Sequence, residues 1–453
     1  MNLTEAKGIM KGAFEADYLN FLMFDLAGGM RSVTLPKRYV SKKVLEDGIG
    51  FDASNYGFAK VDQSDMVAIP DPSTALLEER DGFRTAHVLC DVVSTDRKTF
   101  DQYPRSVAKK TASWLREKNL ADSAMMLVEL EYYVFDSVEY STGLNFASYS
   151  AVSAEGFGGQ FGTPPRFEPL GGYHALAPRD RYLDFRNRTV QLMEDAGIPV
   201  KYHHHEVGAS QLEIELDFMD LVKAADSVCI ARWIISTVAA EMGLFVTFMP
   251  KPLYKMPGSG MHVHQFLEKK GQTIFPGSEL HGLSKEGLAY IAGLLDHSVT
   301  GSLLAFTNPS TNSFRRLVPG YEAPVGATFA KGSRRAAVRI PGYLKEDEVR
   351  IEYRTGDGSA NIHYMLSAMV LAGGEGILRG ADPVASGYSA GDGSEEKVFP
   401  LTLDRVLEGL RKDSEYLSPA FPEKLLDLWI KRKEKEALYV YSAPTPQEYE
   451  LYF

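Results

Sequence analysis

Cysteine is nearly absent, with only Cys90 and Cys229 in 453 residues. They are far apart and each lies in an apolar run, HVLCDVV and SVCIARW, which excludes a disulfide framework and a cysteine-built zinc finger and predicts buried, reduced thiols. Positive charge is in deficit: 49 Lys and Arg face 60 Asp and Glu, for a net charge of −11. That balance argues against nucleic acid or an anionic membrane as a partner. No apolar run reaches membrane-spanning length. The N-terminal MNLTEAKGIMKG lacks the basic stretch and apolar core of a signal peptide. A cytoplasmic protein is expected. There is no GxxxxGK[ST], so any nucleotide is held without a P-loop. The glycine-rich GFGGQFG and GGEGI do not amount to a phosphate-binding pattern.

With 44% apolar and 24% charged residues, the composition is that of a globular protein. The length suits two or three domains, or one large one with a small appendage. Residues 1 to about 95 read as a β-rich unit, in which YLNFLMFDL, MRSVTL, DMVAIP and TAHVLCDVV alternate with turn residues. After a linker, STDRKTFDQYP, Pro104 opens a helix. A strand follows at Met125–Phe135, and an irregular loop is expected over 147–170. A helix over 218–242 is stopped by Gly243. Strands at LFVTFMP and GMHVHQFL follow, then helices near 283–298, 364–379, 402–413 and 421–436. The order predicts a mixed α and β fold.

Several apolar segments carry acids and histidines: Glu129 and Glu131 in VELEYYVF, Glu206 and Glu213 in HHHEVGASQLEIEL, His262 in GSGMHVHQF, and Glu352 in VRIEYR. Alternation along a strand puts Glu129 and Glu131 on one face, with Val128, Leu130, Tyr132 and Val134 on the other. It likewise pairs His262 with His264, and Glu352 with Arg350 and Arg354. Glu206 and Glu213 meet if Gly208–Ser210 turns the chain into a hairpin. Buried carboxylates in such numbers need cations, and oxygen-rich ligands point to Mg²⁺ or Mn²⁺. Glu352→Ala is then expected to abolish activity with little loss of fold, because it relieves repulsion among the acids. Within His203-His204-His205, neighbours on a strand face opposite ways, so at least one is structural. A second cluster is basic: Arg315, Arg316, Arg334, Arg335 and Arg339, followed by Arg350 and Arg354. Arg315 and Arg335 suit a solvated loop, whereas Arg339, Arg350 and Arg354 suit an anion. Dications beside arginines describe a phosphoryl-transfer site.

These segments resemble glutamine synthetase of the bacterial type I kind. GFDAS, SDMVAIPDPSTA, VELEYYVFD, LGGY, HHHEVGASQLEI, FMPKP, GSGMHVH, NPSTNSFRRLVPGYEAPV, AAVRIP and VRIEYR fall in the family's order along nearly the whole chain. The resemblance implies an α+β protein: a small N-terminal β-grasp domain over 1–100 and a catalytic domain over 101–453 with a curved antiparallel half-barrel sheet ringed by helices. It implies a homo-oligomer of two stacked hexameric rings with active sites between subunits. The activity implied is ATP-dependent ligation of ammonium to glutamate, with two or more Mg²⁺ or Mn²⁺ per site. The alternatives are an alkylamine or polyamine in place of ammonia, or a catalytically altered protein of the same fold.

By the same resemblance, Glu131, Glu206 and Glu213 hold one metal, and Glu129, His262 and Glu352 hold the metal that binds the nucleotide phosphates. Arg339 and Arg350 hold the phosphoryl group and ATP. Arg316, Arg334 and Arg354 face substrate carboxylates and the phosphoryl group. Gly258 and His264 match glutamate-site positions, and Glu322 matches the acid of a closing flap. Asp52 of a neighbouring subunit, Tyr173 and Glu206 form the ammonium pocket. The sequence departs from the family pattern at Pro257, Phe266, Lys201 and Asn55, near glutamate, nucleotide and ammonium. SEEKVFPL stands where some relatives carry a modified tyrosine, so adenylylation is not expected.

Overall fold

The computed structural model describes residues 1–5, 15–156, 170–345, 348–388 and 397–453. Most of GFGGQFG, residues 157–169 of the expected loop and the start of SEEKVFPL lie outside them. The first 95 residues form a seven-stranded sheet from β1 (Asn2–Glu5), β2 (Tyr18–Phe24), β3 (Met30–Pro36), β4 (Ile49–Asp52), β5 (Asp65–Pro70), β6 (Leu76–Arg80) and β7 (Phe83–Ser94). The order is β1-β6-β7-β2-β3, with β5 on β7 and β4 on β5. Central β2 runs parallel to β7. Its Leu19, Phe21 and Met23 enter one apolar cluster, and Leu22 and Phe24 enter the larger core shared with the rest of the chain. Burial on both faces explains why YLNFLMF is a continuous apolar run.

The second sheet has ten strands. Its spine is β11 (Val200–His205), β12 (Gln211–Leu216), β8 (Ser123–Phe135), β15 (Val263–Lys269), β19 (Ile351–Tyr353), β18 (Val338–Ile340) and β17 (Phe329–Lys331). Three short strands, β13 (Met219–Asp220), β14 (Phe245–Thr247) and β16 (Gln272–Thr273), flank it. All pairs but β17–β18 are antiparallel. Val128, Leu130, Tyr132 and Val134 enter the core, as alternation predicts. The expected loop at 147–170 begins as a hairpin, β9 (Ser137–Thr142) against β10 (Ala147–Val152).

Helices Pro104–Glu117, Leu221–Glu241, Lys285–Thr300 and Ile362–Arg379 contribute to that core. The Asp220 carboxylate caps the second of these through the Val222 and Lys223 N–H groups. The chain leaves that helix through Gly243 at φ +71°. The last two helices touch at Gly293, where a Cβ would lie 2.1 Å from the Ala372 carbonyl. GGEGI therefore serves helix packing: Gly376 meets Gly293, and Gly373 meets the Tyr290 ring. Of the helices not foreseen from the sequence, Leu183–Asp195 is the longest. No helix among the described residues is long and apolar enough to cross a membrane. Both cysteines are buried and free, and burial pushes the Cys229 thiol up to about 12.

Candidate active site

Strand register assembles the site. Across β11, β12 and β8, His204 stands opposite Glu213, and Glu213 opposite Glu131. Across β15, β19 and β18, His264 stands opposite Glu352, and Glu352 opposite Arg339. Two rows of ionisable side chains thus cross one face of the sheet, and the first ends at the turn carrying Glu206. That turn is the hairpin expected at 208–210, closed by Glu206 N–H donating to the Gln211 carbonyl at 2.8 Å.

The carboxylates divide by their partners. Glu129 accepts from His262 Nδ1 at 2.8 Å and His264 Nε2 at 2.9 Å. Burial drives its carboxyl up, but those two bonds outweigh it and hold it well below the usual range. Glu352 accepts from Arg339 at 2.5 Å and also from Arg354. Burial opposes ionisation there too, yet chiefly the Arg354 charge holds the group down at about 2. Glu206 and Glu213 behave oppositely. Burial, then Glu131 and Glu213, push Glu206 well up, and burial, then Glu129 and Glu131, push Glu213 well up. This half of the cluster lacks the positive charge its geometry demands, and a dication fits that need. Glu131 accepts from the Gly260 N–H at 2.8 Å.

Ligand-capable atoms of Glu129, His264 and Glu352 lie within 4.8 Å of one another, as do those of His204, Glu206 and Glu213. His262 lies near the first group, with Nδ1 3.9 Å from Glu352, and its Nε2 accepts from Arg316 at 3.2 Å. His204 was not foreseen as a site residue, although sharing the face of Glu213 marks it. Its neighbours are structural: His203 accepts from Arg186, and His205 is fully buried against Glu155. Glu215 was also missed. It is 1% exposed, stands opposite Glu129, and pairs with Lys201 at 2.6 Å. Lys201 thus meets an acid from the next strand.

The face opens into a cleft of about 470 Å³. Glu129, Glu131, Glu206, Glu213, His262 and His264 line it, with Gly258, Tyr173, Arg316, Glu322, Arg334, Arg339 and Arg354. Glu352 sits behind the wall. Arg350 stands beside it, donating to His264 Nδ1 at 3.3 Å and to the Tyr343 hydroxyl at 3.4 Å. Asp52 is exposed at the end of β4, bonded to Ser54, and is not among the lining residues. Arg315 and Arg335 are exposed, as expected. Pro257 lines the cleft, and its carbonyl accepts from the Tyr133 hydroxyl at 2.8 Å. Phe266 packs on Phe218, ring centres 5.0 Å apart.

Comparison with known proteins points to one family. The family model "Glutamine synthetase, catalytic domain" matches residues 101–452, and "Glutamine synthetase, beta-Grasp domain" matches 15–95. A glutamine synthetase of Mycolicibacterium smegmatis is 36% identical, with 96% of each chain covered. One of Aquifex aeolicus is also 36% identical, again over 96% of both chains. The solved glutamine synthetase of Plasmodium falciparum superposes with a TM-score of 0.92 at 26% identity, covering 100% of both chains.

Proposed function

Since the chain belongs to the glutamine synthetase family, we propose that it joins ammonia to the γ-carboxylate of glutamate, using ATP and a γ-glutamyl phosphate intermediate, and releases glutamine, ADP and phosphate. The observation that carries this is the pair of carboxyls forced upward, Glu206 and Glu213, facing an arginine-lined wall in one cleft.

A carboxylate is a poor electrophile until its oxygen is phosphorylated. Bound Mg²⁺ or Mn²⁺, two or more per site, would neutralise the nucleotide phosphates. Glu131, Glu206 and Glu213, with His204 beside them, would hold one ion. Glu129, His262 and Glu352, with His264 beside them, would hold the other. Arg339 and Arg350 take the phosphoryl group and ATP, and Arg316, Arg334 and Arg354 orient carboxylate and phosphate oxygens by their planar forks. Gly258 and His264 border glutamate. Glu322, exposed beside Tyr321, closes over the intermediate, keeps water out and accepts the proton ammonium must lose. Glu206 and Tyr173 form the ammonium pocket on this chain. Asp52, outside the cleft, completes it from an adjacent subunit of a two-ring assembly. Domains divide near residue 100, and the enzyme works in the cytoplasm.

The test is phosphate release by the purified protein with Mg²⁺, ATP and glutamate. Release that depends on ammonium supports the reading; its absence on adding ammonium overturns it.

A further inference from the structure

Outside the cleft, behind the turn that carries Glu206, lies a fully buried carboxylate that the chemistry above does not use. Glu155 is 0% exposed, as is His205. Glu155 Oε2 accepts from His205 Nε2 at 2.9 Å and from the Ser210 N–H at 2.7 Å, and its Oε1 accepts from the Arg181 N–H at 2.8 Å. The other ring nitrogen of His205 donates to the Glu206 carbonyl at 2.7 Å. Ser210 is held left-handed at φ +64°, a strained conformation for a residue with a side chain, and its N–H bond to Glu155 helps fix it there.

The same ring supports the loop that bears Tyr173. The Gly172 N–H donates to the Val207 carbonyl at 3.1 Å, and the His174 N–H to the His205 carbonyl at 3.0 Å. A Cβ on Gly172 would lie 2.5 Å from the Glu206 carbonyl oxygen and 2.6 Å from His205 Cε1. Only glycine lets the loop lie on the histidine. Tyr173 and Glu206, on segments far apart in sequence, are therefore located by one buried contact.

We propose that the Glu155–His205 pair is a positioning device for the ammonium pocket: it holds Glu206 and the Tyr173 loop at a fixed separation. The pair touches no substrate and acts through those two residues. The inference rests on the ammonium pocket proposed above. A carboxylate buried this completely is costly for a purely structural link, whereas fixed geometry is what capture of a small cation requires.

Two variants test it, Glu155→Gln and Gly172→Ala, assayed at saturating Mg²⁺. The first removes the charge at nearly constant volume; the second keeps both ionisable groups and sets a methyl against the His205 ring and the Glu206 carbonyl, displacing the loop. Each is expected to raise KM for ammonium about tenfold, with KM for glutamate and ATP and kcat at saturating ammonium within about twofold of the parent. Melting curves establish that each variant is folded. An unchanged ammonium KM in either folded variant overturns the proposal. So does an equal loss in every kinetic constant together with the melting temperature, which marks a merely structural role. The parent enzyme separates this from failure of the main reading, because absence of ammonium-dependent turnover in the parent rejects the ammonium pocket itself.

Discussion

Glu352 shows what sequence could not supply at the scale of one residue. Counting acids predicts that its removal relieves repulsion. The structure reverses this, because Arg339 and Arg354 both donate to it and its carboxyl is held at about 2. Glu352→Gln would leave two buried guanidinium groups short of an anion, at a cost of roughly 3 kcal/mol. Loss of activity together with a lower melting temperature is expected; an unchanged melting temperature would reinstate the repulsion argument. Glu206 and Glu213 are the residues where repulsion does hold. Their folded-state carboxyls are raised, so the protonated form is favoured by folding. That stability is present below the ordinary glutamate range and is lost as pH rises through the raised values. Chelator-treated protein should therefore melt at lower temperature at about pH 8 than at about pH 5, and Mg²⁺ should raise the melting point more at the higher pH. An equal Mg²⁺ effect at both would refute the assignment.

Among elements, those with strong periodicity were legible. The helices at Pro104–Glu117, Leu221–Glu241 and Ile362–Arg379 fall close to their predicted bounds. Strands carrying the site were found with the right faces but the wrong ends. VRIEYR is a strand only over Ile351–Tyr353, and His262 precedes β15. In both places the backbone still bonds to its neighbours, the His262 carbonyl accepting from the Glu129 N–H at 3.0 Å and the Arg354 N–H donating to the Ala337 carbonyl at 2.9 Å, but where the regular ladder stops is a tertiary effect that local propensity does not encode. The glycines of GGEGI carried no local meaning until a second helix lay against them. Because a Cβ at Gly293 would meet backbone at 2.1 Å, the neighbour cannot give. Gly293→Ala should cost about 1–3 kcal/mol and lower the melting temperature; a neutral result would mean that the two helices separate readily.

Over the whole molecule, the candidate site was visible in the sequence because four of its ligands, Glu129, Glu131, Glu213 and Glu352, lie on strands, where a period of two sorts faces without knowledge of topology. Register was not visible. Nothing local says that Glu213 stands opposite Glu131, or Glu352 opposite His264, and for that reason His204 and Glu215 went unnoticed. The family resemblance supplied the long-range order that pattern alone lacks. On one chain Asp52 lies exposed on the N-terminal sheet, away from the cleft. The central claim is that carboxylates separated by over two hundred residues form a container for dications. Anomalous diffraction from crystals grown with Mn²⁺ tests it most directly. The account predicts one peak among Glu131, Glu206 and Glu213 and another beside Glu129, His262 and Glu352; a cleft with no peak at either place, in crystals saturated with Mn²⁺, would contradict it.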